Sequence, residues 1–258
     1  MGSKKLVEIK KAKKVVFVGD THGDLEASQK VIKDYLKPGN KIIFLGDYVD
    51  RGPKSKENLD FLLKTKTKYS NQIYLLQGNH EGHHILKFSP AEFWESLDKK
   101  DYKKYTSIVE KFPLVVVTKD IIALHGALPN CARFYLARGK IGSEQWFQIC
   151  WGDFSEEAGE YLGIDPFTGR PQFGRDYFFK IMERFNKKVL IRSHDPNASL
   201  LMFAEANASS HASAKASAFN DRCLTIFTSS AYTRERTIAI ADFKKPIKTV
   251  KDLEIKRI

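Results

Sequence analysis

The stretch Gly46-Asp47-Tyr48-Val49-Asp50-Arg51-Gly52 sets two carboxylates and a guanidinium within five positions, Asp47 to Arg51. Carboxylates this close repel each other unless a cation joins them. An arginine just beyond points to an anion on the far side of that cation. Metal, carboxylates and anion together imply metal-assisted chemistry on a phosphate ester. Other residues offer the remaining ligands: Asp20 and His22 from one tight loop, Asn79, His125 and His194. With Asp47, whose two oxygens can bridge two cations, they make a mixed nitrogen and oxygen set of six. Such a set suits two Mn, Fe or Zn ions better than Mg alone.

Each of these residues follows an apolar run. Val15–Val18 ends in Gly19-Asp20-Thr21-His22-Gly23-Asp24, Ile42–Leu45 in Gly46-Asp47, and Ile73–Leu76 in Gly78-Asn79-His80-Glu81. Short apolar runs stopped by glycine and a polar residue read as buried strands. Between them, Leu25–Leu36 and Ser55–Tyr69 carry apolar residues at helical spacing. Three strand, polar loop and helix units in a row predict an α/β sheet with its loops gathered at one edge, where such sheets bind ligands. Further on, Ser89-Pro90-Ala91-Glu92 reads as a capping box with proline at the first helical position. Helix is expected from there to Phe112, followed by a hairpin of Leu114–Thr118 and Ile121–Leu124 that ends at His125. Helical patterns recur over Ser143–Ile149 and Asp176–Phe185, a strand at Val189–Ile191 runs into Arg192-Ser193-His194, and late strands are expected at Leu224–Phe227 and Thr237–Ile240.

The 258 residues suffice for one large α/β catalytic domain. Two stretches fall outside it as read: the first 14 residues, expected to form a basic tail, and Ala204–Ala218, with seven alanines and four serines, expected to be an exposed loop. There is no run of about eighteen apolar residues, so no membrane span is expected, and the Lys-rich start has no apolar signal core. Three cysteines without metal-type spacing suit a reducing, cytoplasmic setting. Lys and Arg exceed Asp and Glu by 43 − 31 = 12, which favours acidic or phosphorylated partners.

Taken in order, these motifs resemble a family. Gly19-Asp20-Thr21-His22-Gly23, the Gly46–Gly52 stretch and Gly78-Asn79-His80-Glu81 are similar to the three signature motifs of the PPP-type serine/threonine protein phosphatases, within the calcineurin-like metallophosphoesterases. His125-Gly126, Trp151-Gly152-Asp153 and Arg192-Ser193-His194 resemble its later motifs. The resemblance implies an α/β fold with two β-sheets sandwiched between helices, and a dinuclear metal site. On that pattern Asp20 and His22 hold the first metal, Asp47 bridges, and Asn79, His125 and His194 hold the second. Arg51 would grip the phosphate, and His80 would protonate the leaving alkoxide with Asp50 orienting its ring. The reaction implied is attack on phosphoserine or phosphothreonine by a hydroxide activated between the two metals, with manganese the expected ion in vitro.

The sequence departs from that pattern in places. The second phosphate arginine is expected at Arg170 in Gly169-Arg170-Pro171-Gln172-Phe173-Gly174, with Arg175 and Arg192 as alternatives. The late loop reads Ser229-Ser230-Ala231-Tyr232, without the family's Pro-Asn pair, and Tyr232 is expected to line the cleft. The compact length suits a prokaryotic member. Phosphorylated proteins are the expected partners, with no membrane, no nucleic acid and a monomeric chain. A dinucleoside polyphosphate hydrolase of the diadenosine tetraphosphatase kind, or another phosphoesterase, is the competing enzyme. A binding module that keeps the fold without chemistry is the reading from another class, and an acid pair such as His80 and Asp50 would be idle in it.

Overall fold

A computed structural model describes residues 4–132, 140–195, 219–232 and 236–258. The Ala204–Ala218 segment, with His211 inside it, lies outside the described residues. In the first half, strands β1 (Leu6–Glu8), β2 (Lys14–Val18), β3 (Lys41–Phe44) and β4 (Ile73–Leu75) alternate with helices α1 (Leu25–Tyr35) and α2 (Ser55–Lys68). Helices α3 (Glu92–Ser96) and α4 (Lys99–Val109) lead to the hairpin β5 (Val115–Val117) and β6 (Ile121–Leu124). Helix α5 (Glu144–Trp151), strands β7 (Asp153–Phe154), β8 (Tyr161–Ile164) and β9 (Pro171–Phe173), helix α6 (Arg175–Arg184) and strand β10 (Val189–Arg192) follow. Strands β11 (Cys223–Thr225), β12 (Thr237–Asp242) and β13 (Glu254–Arg257) complete the order.

Two five-stranded sheets, β1-β5-β6-β10-β11 and β13-β12-β2-β3-β4, carry the fold. Side chains alternate across a strand, and both faces of the inner strands β2, β3, β5, β6 and β10 are covered, which is why they read as apolar runs. Val15, Phe17 and Ile43 share a buried layer with Val116, Ile121, Ala123 and Ile191, between the sheets. Val16, Val18, Ile42 and Phe44 face the other way, onto Val31 of α1 and Leu59 and Leu62 of α2. Val115, Val117, Ile122 and Leu124 pack against α5 and α6 through Trp146, Ile149, Phe178 and Ile181. The result is helices, sheet, sheet, helices, the sandwich expected.

Strands β2, β3 and β4 run parallel, in a register that pairs Val18 with Phe44 and Phe44 with Leu75. Their carboxyl ends therefore finish side by side. Strand β6 likewise pairs parallel with β10, Ile191 against Ala123, so His125 and His194 leave neighbouring strand ends. A parallel bridge between Asp20 and Phe227 joins the two sheets at this edge.

Three expectations need correction. Residues 4–14 are not a tail: Leu6–Glu8 pair parallel with Val115–Val117, and Ile9 is buried. Lys5 is buried too, its Nζ donating to the carbonyls of Glu110 and Phe112, the latter at 3.0 Å. The many lysines hide a short apolar stretch that fills the open edge of β5. Second, Ser89 caps nothing. Helix α3 starts at Glu92 behind Ala91, with no side-chain cap, and the Ser89 hydroxyl donates to Glu95 Oε1 at 3.0 Å. The carboxylate of Glu92 turns instead to the Arg51 backbone N–H, 3.3 Å away. Third, a small sheet, β7-β9-β8, lies beyond the two expected. Its strands are two to four residues long, and Asp153, Gly163 and Gln172 interrupt their apolar residues, so no unbroken run marks it in the sequence.

Candidate active site

The six proposed ligands meet at the shared sheet edge, all of them buried. Histidine tautomers follow from their carbonyl partners, which can only accept. His125 Nδ1 donates to the Leu45 carbonyl at 3.1 Å, leaving a lone pair on Nε2. That lone pair faces Asn79 Oδ1 at 3.0 Å, His194 Nδ1 at 3.1 Å and Asp47 Oδ2 at 3.3 Å. His22 Nδ1 donates to the Val49 carbonyl at 2.8 Å. Its Nε2 looks at Asp20 Oδ2 and Asp47 Oδ2, both 3.8 Å away. Two possible metal clusters result, His22–Asp47–His80 and Asp47–His125–His194, and Asp47 belongs to both.

Electrostatics favours a cation here. Burial, more than any other cause, pushes the carboxyls of Asp20 to about 7 and Asp47 to about 8. It also holds the imidazoles of His22 and His194 well below their usual value and lowers that of His125. Asp20 Oδ1 is buried with no hydrogen-bond partner. Buried carboxylates, neutral imidazoles and converging lone pairs are the donor set a divalent metal takes. The residues fit that group.

His80 adjoins the cluster, its Nε2 4.0 Å from Asp47 Oδ2. Its Nδ1 lies 2.6 Å from Asp50 Oδ2, and Asp50 Oδ1 accepts from the Phe93 N–H at 2.7 Å. The indole of Trp94 donates to the His80 carbonyl at 2.7 Å. Helix α3 thereby grips both members of the pair. Arg51 stands at the rim with its guanidinium on the Pro90 carbonyl at 3.0 Å. Arg170 reaches the site from the turn before β9: its Nη1 donates to the His194 carbonyl at 3.4 Å and lies 3.5 Å from Asp153 Oδ2. The small sheet is what brings it there, since β7 pairs Asp153 with Gln172 of β9. Tyr232 is half exposed and meets the His22 ring edge-on at 5.5 Å.

Arg192 is not at the cleft surface, which corrects its place among the substrate-binding candidates. It is 1% exposed, and its guanidinium serves Asp153 and the Gly152 carbonyl. A cation buried that deeply needs its carboxylate and has no reach toward a ligand. Arg175, the other alternative, opens α6 with its backbone N–H on the Glu157 carbonyl. The free thiols of Cys131 and Cys150 are buried, as expected of core residues.

Two organising residues carried no role in the sequence reading. Glu81 accepts from the backbone N–H groups of Asp47, Tyr48 and Gly78 at 2.8, 2.9 and 2.9 Å. It ties the second loop to the third. Asn58, on α2, donates to Thr21 Oγ1 at 2.9 Å and to the Tyr48 carbonyl at 2.8 Å, tying the first loop to the second. Glu81 lies inside the Gly78-Asn79-His80-Glu81 motif; for Asn58, the sequence offers one polar residue beside Leu59 and Leu62. The loops are also tight. A Cβ on Gly78 would lie 2.2 Å from Asp47 Oδ1. His22, Asp47, Asp50, Arg51 and His194 all hold positive φ, between 39° and 74°. Non-glycine residues in that region cost of order 1–3 kcal/mol each and persist where surroundings hold them, often at functional sites.

Over 211 residues the chain is 26% identical to a probable serine/threonine-protein phosphatase of Encephalitozoon cuniculi (strain GB-M1), matching 75% of this chain and 45% of that protein. The chain thus spans less than half the length of that relative. A protein serine/threonine phosphatase structure from Saccharomyces cerevisiae, described as similar to human phosphatase PP5, superposes with a TM-score of 0.78 at 18% identity, over 99% of this chain and 84% of that one. A candidate diadenosine tetraphosphatase superposes at 0.56 and 15% identity, over 98% of each chain. At those identities the two structures speak for the fold alone. The profile of the calcineurin-like phosphoesterases matches residues 13–198, from the lysine before β2 to just past His194. That span contains the six converging ligands, the His80–Asp50 pair and both rim arginines, and the chain belongs to the calcineurin-like phosphoesterase family.

Proposed function

We propose that the chain hydrolyses phosphoserine and phosphothreonine monoesters in proteins. The observation that carries this reading is the 2.6 Å contact between His80 Nδ1 and Asp50, beside a cluster suited to metals. Divalent cations bound there supply Lewis acidity and an activated water, and Asp20, His22, Asp47, Asn79, His125 and His194 would hold two of them. Arg51 and Arg170 approach from the rim to bind the oxygens of the phosphoryl group. An alkoxide is a poor leaving group and gains most from a positioned acid. Burial, followed by the charge of Arg51, pushes the His80 imidazole well below its usual value. A phosphate dianion beside Nε2 favours the imidazolium, and Asp50 supports that charge from the other nitrogen. The proton then passes from Nε2 to the leaving oxygen.

The relative from Encephalitozoon cuniculi supports protein substrates. So does the rim, where Tyr232 and the two arginines border an open edge. Manganese is the ion we expect to serve best in vitro. The test is a side-by-side assay of phosphoserine and phosphothreonine peptides against diadenosine tetraphosphate, with Mn²⁺, Fe²⁺ and Zn²⁺ each supplied to stripped enzyme. Higher kcat/KM on the peptides is expected. A hundredfold preference for the dinucleotide would move the chain to that activity.

A further inference from the structure

The hairpin that delivers Arg170 carries something the phosphate chemistry does not use. Strand β8 lies at the edge of the small sheet. Tyr161 and Ile164 on it are 58% and 52% exposed, and Phe167 at the hairpin tip is 94% exposed. A phenylalanine left wholly in water is uncommon, and here three exposed apolar side chains share one hairpin.

The tip is also fixed. Asp165 Oδ1 accepts from the Phe167 N–H at 3.0 Å, and from the Thr168 N–H and hydroxyl at 2.7 and 2.8 Å. The Gly169 N–H closes onto the Asp165 carbonyl at 2.9 Å, and the Asp165 N–H donates to the Arg170 carbonyl at 2.9 Å. Phe167 is therefore presented by a hydrogen-bonded turn with little order left to gain, which lowers the entropic cost of using it. Phe167 lies three positions before Arg170, so their Cα atoms are at most about 11 Å apart.

We propose that this patch, centred on Phe167, is a docking surface for the polypeptide flanking the phosphorylated residue, and that it selects apolar side chains there. The inference rests on the protein phosphatase reading. Arg170 fixes one end of the geometry at the phosphate, and Phe167 belongs to the same hydrogen-bonded turn as that arginine. An extended peptide advances about 3.3 Å per residue, so the side chain that meets Phe167 lies two to four residues from the phosphoserine. The ligand class is an extended phosphopeptide with a leucine, isoleucine or phenylalanine at that distance. An aryl phosphate has nothing to place there and should ignore the patch.

The test compares phosphoserine peptides that differ only in carrying leucine or serine at each of positions two to four on either side, with p-nitrophenyl phosphate as control. Wild-type enzyme is expected to favour a leucine peptide by roughly three- to tenfold in kcat/KM. Phe167→Ser should abolish that preference, Ile164→Thr should reduce it, and neither should change turnover of the aryl phosphate, which also reports that the variants fold. Equal kcat/KM for all peptides, or a preference that survives Phe167→Ser, overturns the docking surface alone. Loss of a concentration-dependent dimer in Phe167→Ser with an unchanged preference overturns it as well, and assigns the patch to a second copy of the chain. Failure to hydrolyse any peptide while the aryl phosphate is turned over overturns the protein phosphatase reading, and this inference with it.

Discussion

His80 sits close enough to Asp47 to be counted among metal donors, yet its other nitrogen is engaged by Asp50 at 2.6 Å. The two roles separate in one variant. His80→Asn should keep both metals by elemental analysis and lose about 10²–10⁴-fold in turnover on phosphopeptides, less on aryl phosphates whose leaving groups need no proton. Loss of metal in that variant would make His80 a ligand instead. Glu81 acts through other residues. Its three backbone acceptances set the positions of Asp47, Tyr48 and Gly78, and hydrogen bonds of this kind are worth about 0.5–3 kcal/mol each. Glu81→Ala should lower metal content and melting temperature together. A variant with normal metal content would show that the loops hold their shape unaided.

At the scale of elements, β1 gives the sharpest contrast between sequence and structure. Removing residues 1–9 would strip Ile9 from the layer between the sheets and expose the outer edge of β5. With Leu6 and Val7 half-buried, the cost should be about 3–5 kcal/mol, read as a lower midpoint in urea. A tail would cost nothing. The main strands were legible because both of their faces are covered, which writes them as runs such as Val15–Val18 and Ile42–Phe44 ended by a glycine or leucine-glycine step. Their parallel register then brings the motifs to one edge, so the ligand set was legible as well. Strands β1 and β7–β9 are interrupted by Glu8, Asp153, Gly163 and Gln172, so none of them shows an unbroken apolar run. Arg192 differs from its expected place because a strand-end arginine beside a ligand motif looks the same in sequence whether it faces the cleft or, as here, Asp153.

For the whole molecule, stability is tied to occupancy of the metal site. Asp20, Asp47 and Glu81 titrate in the folded, metal-free chain at about 7, about 8 and about 8, each raised chiefly by burial. Carboxyls raised in this way stabilise the fold below their unfolded values and lose that contribution as pH rises through the folded ones. Above pH ~6.5 the histidines are mostly neutral in both states. The melting temperature of stripped enzyme should therefore fall as pH rises from about 6.5 to about 8 and level off above that, and Mn²⁺ should flatten the fall and give its largest thermal gain at the alkaline end. A stripped enzyme whose melting is independent of pH over this range would contradict the burial of these carboxyls as anions. The same chain carries a net charge of +12, and no helix among the described residues is long and apolar enough to cross a membrane. The left-handed backbone at Asp50 and Arg51, with φ of 65° and 70°, sets durability against function. Glycine accepts that geometry freely, and the rim contacts that Arg51→Gly would forfeit are worth about 0–1 kcal/mol. A dead Arg51→Gly enzyme should thus melt no lower than its parent. Selection for robustness alone would erode the very loop on which turnover depends, so a library sorted only for thermostability is expected to accumulate inactive glycine variants there.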